Sequence, residues 1–395
     1  IFGEGRYIFG MLSSILVLPV YILLAKRLST RLFVWFSYVT FTVAIGFLLA
    51  AIHLKEDSFF LGMMLVQGIL IFLYHRTKGQ EKFKLFTKEF VFFAQLNLIL
   101  TSVLMLVMYH SQAYLGFNLM LTAIIFLAMV YVTGRKEFHF VFSAMLVFGV
   151  YQFVEFSVLT SVSPLLFALI GFVFLGIPKV LDDTYPWKKI FTLTSGVVSG
   201  LAFLFISFEA ILIKWGEPSF VLLLAYLAIA GNFLYLANTT KQLLFRYLTA
   251  VFLSVSIFEG LLLLDKTIEL NPFIIFVCFI GFAMFAGFGI LLKGKMLALV
   301  KEPARDVGWA YMLISFYAAV SMYAWWEVGV ILLVICLAAY MSLTKETRAP
   351  YKPVGEWLVP VSLGLSIFFF GEEYRQVSSF YMNELGVAIH FVLAS

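Results

Sequence analysis

The chain has 395 residues, of which 63% are hydrophobic and 12% charged, and its formal net charge is +5. Soluble domains are about 45–50% apolar and about 25% charged, so this composition excludes a water-soluble globular protein and predicts a chain whose solvent is lipid. The pI near 9.0 does not indicate nucleic-acid binding, because the cations fall in short loops between apolar segments, where they set membrane topology. The sequence begins at Ile1 without a methionine, so we expect a portion of a longer or processed chain.

Apolar segments long enough to cross a bilayer, which takes about 20 residues each, follow one another along the whole chain. The first contains Pro19, which a membrane helix tolerates when neighbouring groups satisfy the freed carbonyl. In chain order the predicted segments are Tyr7–Leu24, Leu32–His53, Phe59–His75, Phe90–His110, Ala113–Val132, His139–Leu159, Pro164–Ile177, the helix within Trp187–Pro218, Phe220–Ala237, Leu243–Leu264, Pro272–Leu292, Val307–Trp326, Val328–Leu343, Trp357–Phe370 and Leu385–Leu393. The sequence therefore predicts an all-α, polytopic integral membrane protein of about 14–15 transmembrane helices that forms a single domain over residues 1–395.

Lysine and arginine are distributed unequally between the loops. Alternate loops, beginning with the one after the first segment, hold 22 of the 27 lysines and arginines, and the most basic runs from Arg76 to Glu89. Because translocated loops are poor in these residues, the basic loops are predicted to lie inside and the visible N-terminus outside. The Arg76–Lys88 stretch is also the best candidate for binding anionic lipid headgroups, although basic loops ordinarily do no more than enforce topology.

A repeated pattern is clearest between Trp187–Pro218 and Lys241–Pro272. Most even-numbered segments begin at a basic, aromatic-flanked end and carry a polar residue near the opposite end, roughly every 50 residues. This spacing predicts tandem two-helix hairpin repeats, but any polytopic protein with alternating loops gives regular spacing too, so the alternative stays open. The recurring polar residues are His53, His110, Glu155, Glu209 and Glu259.

The three glutamates in this set are the main candidates for a functional site. From the basic end of its segment, Glu259 lies about 20 Å along the helix, Glu155 about 24 Å and Glu209 about 30 Å. A charged, unpaired carboxylate at such depth costs about 2.5–3.5 kcal/mol, which makes these residues candidates for a substrate or ion path. The alternative is that they reach outward to water or bond neighbouring helices.

Other polar and small residues in the segments favour packing roles. Cys278 and Cys336 lie inside apolar runs and are interpreted as packing residues. The pairs Gly196 and Gly200, and Ala283 and Gly287, are predicted to allow close helix contact. The amides predicted to form helix–helix hydrogen bonds are Gln95, Asn97, Gln152 and Asn232. No phosphate loop, zinc-binding motif, nucleophile elbow or dinucleotide fingerprint is present in the sequence, so we predict no cofactor, no metal and no catalytic residue.

Three functional hypotheses follow, and the composition alone does not separate them. The preferred one is transport or translocation of a small solute, ion or lipid past the outer glutamates; the alternative is a non-enzymatic scaffold or subunit of a membrane protein complex. An enzyme or lipid-handling protein acting at the outer leaflet is the third, but the outer loops are too short to build a substrate pocket. Amino-acid usage compatible with a Gram-positive bacterium places the chain in a bacterial plasma membrane, with the bilayer and possible membrane proteins as its partners and no nucleic acid.

Overall fold

The computed structural model describes residues 5–108, 112–181, 183, 185–210, 217–268, 273–294, 297–345 and 352–377, and every regular element in these ranges is helical. The helices are α1 Gly5–Leu28, α2 Arg31–Ala51, α3 Glu56–Thr77, α4 Lys84–Met108, α5 Gln112–Thr133, α6 Lys136–Glu155, α7 Ser163–Val180, α8 Ile190–Phe208, α9 Phe220–Thr240, α10 Leu243–Ile268, α11 Phe273–Phe282, α12 Lys301–Ser321, α13 Trp325–Lys345 and α14 Lys352–Val377. α11 continues as a π-helix over Ala283–Leu291. Short 3-10 turns occupy Glu81–Phe83, Thr160–Val162 and Leu297–Leu299.

Thirteen of the described helices are long and apolar enough to cross a membrane. The protein is therefore an all-helical, multi-pass integral membrane protein, as the composition predicts. α12 is not among the thirteen: it begins at Lys301, ahead of the predicted start at Val307, and so takes Arg305 and Asp306 into the helix. The predicted segment Leu385–Leu393 lies outside the described residues.

The helix surfaces match a lipid solvent. α1 buries only Ala25, while Leu16 and Phe9 on the same helix are 74% and 67% exposed. In water such an apolar surface would mark a binding or aggregation site, but facing lipid it carries no penalty. Pro19 lies inside α1 without ending the helix.

Consecutive helices pack as pairs across short turns, notably α1 with α2, α5 with α6, α9 with α10 and α13 with α14. In three of these turns one residue adopts a left-handed conformation, Ser29 (φ 50°), Gly134 (φ 70°) and Lys241 (φ 56°). A left-handed residue just beyond a helix end lets its N–H reach a free carbonyl of the last turn, as Lys241 does with Ala237 and Gly134 with Val130. Such helix pairs are what hairpin units require, but sequence repetition between them stays a prediction.

By contacts the chain divides into two compact units, Ile1–Ser195 and Gly196–Ser395, and the division falls within α8. In the first unit, α5 and α6 meet at Gly116 and Gly149, where a Cβ added to Gly149 would lie 2.9 Å from the Met120 nitrogen and 3.0 Å from the Gly116 oxygen. Glycine is needed here because the neighbouring atoms are backbone.

The second unit contains a similar glycine crossing between α11 and α12. A Cβ on Gly281 would lie 2.7 Å from the Gly308 oxygen. Of the small residues predicted to allow close packing, Gly196 does so, since its added Cβ would be 3.1 Å from the Phe245 ring. Gly200 and Gly287 do not, because an added Cβ at either meets nothing within 4 Å.

Candidate functional site

Among the predicted site residues that the structure describes, Glu259 is the most deeply buried, with 5% of its surface exposed. It lies in α10, and its Oε1 accepts a hydrogen bond of 2.8 Å from the backbone N–H of Ser219. Ser219 is the N-cap of α9, and its own side chain makes no capping bond. The first N–H groups of a helix have no partner within the helix and carry partial positive charge, so a carboxylate is well placed there. Glu259 thus caps a neighbouring helix from within a membrane span.

One hydroxyl group lies near this carboxylate, and a second one is hydrogen-bonded to the first. The Tyr226 side chain of α9 is 5% exposed and close enough to Glu259 to interact electrostatically with it. Its hydroxyl is 3.1 Å from the Ser207 hydroxyl of α8. Ser207 in the last turn of α8, Tyr226 near the start of α9 and Glu259 in the second half of α10 therefore form one polar cluster within the second unit. Sequence reasoning found Glu259 but missed the two hydroxyls, which no charge or spacing distinguished.

The other predicted site residues are less enclosed. Glu209 directly follows α8 in a π-helical turn and is half-buried. Glu155 is the last residue of α6 and also half-buried, and its backbone carbonyl accepts a hydrogen bond from the Thr160 hydroxyl. His53 is exposed and left-handed (φ 54°) just beyond α2. His110 lies outside the described residues.

A second polar cluster, in the first unit, is centred on His139 of α6, which is fully buried. Its Nδ1 is 3.2 Å from the Tyr185 hydroxyl and its Nε2 is 3.0 Å from the Thr194 hydroxyl of α8. Because Thr194 donates its own proton to the Ile190 carbonyl, Nε2 is the nitrogen that donates and Nδ1 accepts from Tyr185. Every hydrogen-bonding atom of a neutral imidazole is then satisfied, so the cluster joins helices and leaves no ring nitrogen for a substrate.

The buried side-chain amides differ in whether they have hydrogen-bond partners. Asn232 of α9 donates to the Ser199 hydroxyl of α8, which confirms the predicted interhelical bond. Gln67 of α3, missed by sequence reasoning, is 1% exposed, and neither of its side-chain amide atoms has a hydrogen-bond partner among the described residues. The side-chain nitrogens of Gln95 and Asn97 and the side-chain oxygen of Gln152 are also buried without a hydrogen-bond partner among the described residues. Unsatisfied buried amides are uncommon in folded proteins. At these positions of the first unit, no hydrogen bond within the described residues offsets the free-energy cost of burying these polar atoms.

Ion pairs occur at the ends of helices where the basic loops begin. Arg31 Nε lies 3.2 Å from Glu89 Oε1, and the Trp35 indole N–H donates to the other oxygen of Glu89. In the loop before α8, Lys188 Nζ is 2.8 Å from Asp183 Oδ1. The hydrogen bond and the charge of Lys188 lower the pKa of the Asp183 carboxyl, and burial raises the pKa of the nearby Tyr185 hydroxyl. The loop before α8 thus carries an ion pair at the surface and a buried tyrosine hydroxyl.

Within the described ranges, no three His, Cys, Asp or Glu side chains converge as metal ligands. One cavity is lined by residues that include Gly68, and another by residues that include Trp357. Neither is lined by any of the three candidate glutamates. No protein family, curated protein sequence or solved structure matches the chain. The fold and the site thus define a class, a multi-pass helical membrane protein with a buried carboxylate in a polar cluster, and its activity has to be argued from that cluster.

Proposed function

We propose that the protein translocates a small solute, ion or lipid across a bacterial plasma membrane, with Glu259 as the central polar group of the path and Glu155 and Glu209 as further polar groups. The observation that carries this proposal is the burial of Glu259 within a membrane span. A carboxylate in that position is costly unless it is paired or serves a function. Its hydrogen bond from the backbone N–H of Ser219 is a contact that a cation or a proton donor can replace.

The mechanism proposed is an exchange of partners at one oxygen atom. With the path closed, Glu259 Oε1 holds the Ser219 N–H and so fixes the first turn of α9. A cation arriving at the carboxylate weakens that bond, and the hydroxyls of Tyr226 and Ser207 supply oxygen ligands nearby. Release of the cation restores the cap. Glu259 would in this way couple occupancy of the site to the position of α9.

Ion flux in proteoliposomes tests this. Internal indicators for H⁺, Na⁺ and K⁺ report flux under an imposed membrane potential, for the wild type and for Glu259→Gln, which keeps the shape and the acceptor oxygen but removes the charge. We expect a loss of about tenfold, equivalent to ~1.4 kcal/mol of barrier. Glu81→Gln, on the exposed turn before α4, is the matched control and should leave flux unchanged. Flux that survives Glu155→Gln and Glu259→Gln together would remove the mechanism.

The second candidate is a membrane scaffold or complex subunit, and the Ser219–Glu259 bond itself favours it. A carboxylate that caps the helix beside it has a structural role without any path. Under this proposal no variant changes ion flux, whereas Glu259→Leu, which leaves the Ser219 N–H without an acceptor, lowers stability by about 1–3 kcal/mol. Flux and unfolding measured on the same variants therefore separate the two candidates.

A further inference from the structure

A groove of about 350 Å³ lies on the first unit between α3 and α5. Its lining is almost entirely apolar, including Gly68, Ile71 and Phe72 from α3 and Ile124 and Tyr131 from α5. Phe72 and Ile124 are 57% and 60% exposed, so the groove is open to the surface beside them, whereas Ile71 and Tyr185, which also line it, are buried. Both helices belong to the membrane-spanning set, and the medium that faces the groove is therefore lipid.

The groove begins at the basic end of these helices. α3 ends at Thr77, with Arg76 in its last turn, and α5 ends at Thr133, two residues before Arg135. Gly68 is seven residues before His75, which places it about 10 Å deeper along the helix. The groove thus runs inward from the headgroup level into the hydrocarbon, the direction that an acyl chain takes.

Positive charge is placed at the mouth of the groove. His75 belongs to the lining, and its ring lies 6.0 Å from that of Tyr131. The Arg76 guanidinium stacks over the Phe72 ring at 5.4 Å from its centroid. The C-terminal ends of α3 and α5 carry partial negative charge, so attraction of an anion here depends on these side chains, above all on Arg76.

We propose that this groove binds one acyl chain of an anionic phospholipid, whose phosphate lies against Arg76 and His75. Water does not suit the site, because a buried water needs several polar partners and the lining offers few. A soluble phosphate leaves the apolar length of the groove unused, and a zwitterionic lipid gains less from Arg76. This lipid-binding proposal does not depend on the proposed transport function, because it rests only on the groove and the residues beside it.

Gly68 allows a direct test. A Cβ added there meets nothing within 4 Å, and Gly68 lines the groove, so we expect the longer side chain of Gly68→Leu to occupy space in the groove. Gly46→Leu, on α2, is the matched control, since its Cβ also meets nothing within 4 Å and Gly46 is not part of the groove. The thermal midpoints of both variants in detergent verify that each is folded.

Lipid affinity is measured by native mass spectrometry of the detergent-purified chain, titrated with dioleoylphosphatidylglycerol, dioleoylphosphatidylcholine or glycerol 1-phosphate. We expect the wild type and Gly46→Leu to prefer phosphatidylglycerol and Gly68→Leu to lose this preference. Arg76→Gln should weaken phosphatidylglycerol binding about fivefold, the change that corresponds to ~1 kcal/mol for one cation near an anionic headgroup, and should leave phosphatidylcholine binding unchanged. An unaltered preference in Gly68→Leu overturns the proposal, as does equal binding of the two lipids by the wild type. Competition by glycerol 1-phosphate as strong as that of the whole lipid overturns it too, since the acyl chain would then contribute nothing.

Discussion

The Gly116–Gly149 crossing gives the sharpest prediction about stability, because the same substitution has opposite effects at two helical glycines. Glycine within a helix normally costs about 1 kcal/mol relative to alanine, so Gly→Ala should stabilise wherever there is room. At Gly149 there is none: the new Cβ would lie 2.9 Å from one backbone atom of α5 and 3.0 Å from another. Backbone cannot rotate away as a side chain does, so α5 and α6 must move apart.

The expected magnitude follows from these two terms. Overpacking of a tight contact costs about 1–3 kcal/mol, which exceeds or cancels the gain in helix propensity. Gly176→Ala in α7 is the control, since its Cβ meets nothing within 4 Å, and it should gain the full propensity term. Unfolding in mixed detergent–SDS micelles, followed by circular dichroism, should therefore show Gly149→Ala less stable than Gly176→Ala by about 1–3 kcal/mol, the overpacking term, since the gain in helix propensity is common to both variants. Equal stability of the two variants would refute the close approach of α5 and α6.

Two further predictions concern the polar cluster in the first unit and the membrane orientation. His139→Phe should lower stability by about 1–3 kcal/mol, because the buried Tyr185 hydroxyl loses its acceptor, and adding Tyr185→Phe should recover part of the loss in the same SDS titration; no recovery would contradict the assigned bond. Lys82→Cys, on the exposed turn before α4, should react with an impermeant maleimide only after the membrane is permeabilised, whereas reaction in intact cells would reverse the proposed orientation. The native Cys278 and Cys336 are buried and give little background.

The helices could be predicted from the sequence wherever apolar length alone decides the outcome. α9 is predicted at Phe220–Ala237 and found at Phe220–Thr240, and α10 is predicted from Leu243 and begins there. The ends were harder: α4 begins at Lys84, not at Phe90, so part of the basic loop is helical. Charged residues near the headgroups can continue a helix, since long side chains reach out to water, and hydropathy does not register this.

Of the candidate site, the sequence could predict only Glu259, the residue whose burial in hydrocarbon costs the most free energy. Its position within an apolar segment identifies it as a candidate from the sequence alone, because a carboxylate buried in hydrocarbon is costly unless it is paired or has a function. Its acceptor role does not follow from the sequence, since Ser219 is forty positions away and the bond depends on how α9 packs against α10. His139 illustrates the same limit. It sits among phenylalanines in the sequence, and only the fold brings Tyr185 and Thr194 to its two nitrogens.

α12 shows why a polar helix can belong to such a fold although its hydropathy excludes it from the spanning set. Arg305 is 8% exposed, and its Nε donates to the Gly289 carbonyl at 3.0 Å. Gly289 lies in the last turn of the π-helix, where carbonyls lack intrahelical partners, and glycine is required there because a Cβ would be 2.6 Å from Arg305 Cγ. Further along α12, Met312 and Ala319 are fully buried in one core with residues of α11 and α13. α12 is thus held by the protein through Arg305 and through one buried face, while Leu313, Ile314 and Tyr317 remain 55%, 58% and 74% exposed. The crossing of the membrane by α12, on which the alternation of the basic loops depends, stays a prediction from the sequence, since α12 is not among the helices long and apolar enough to span.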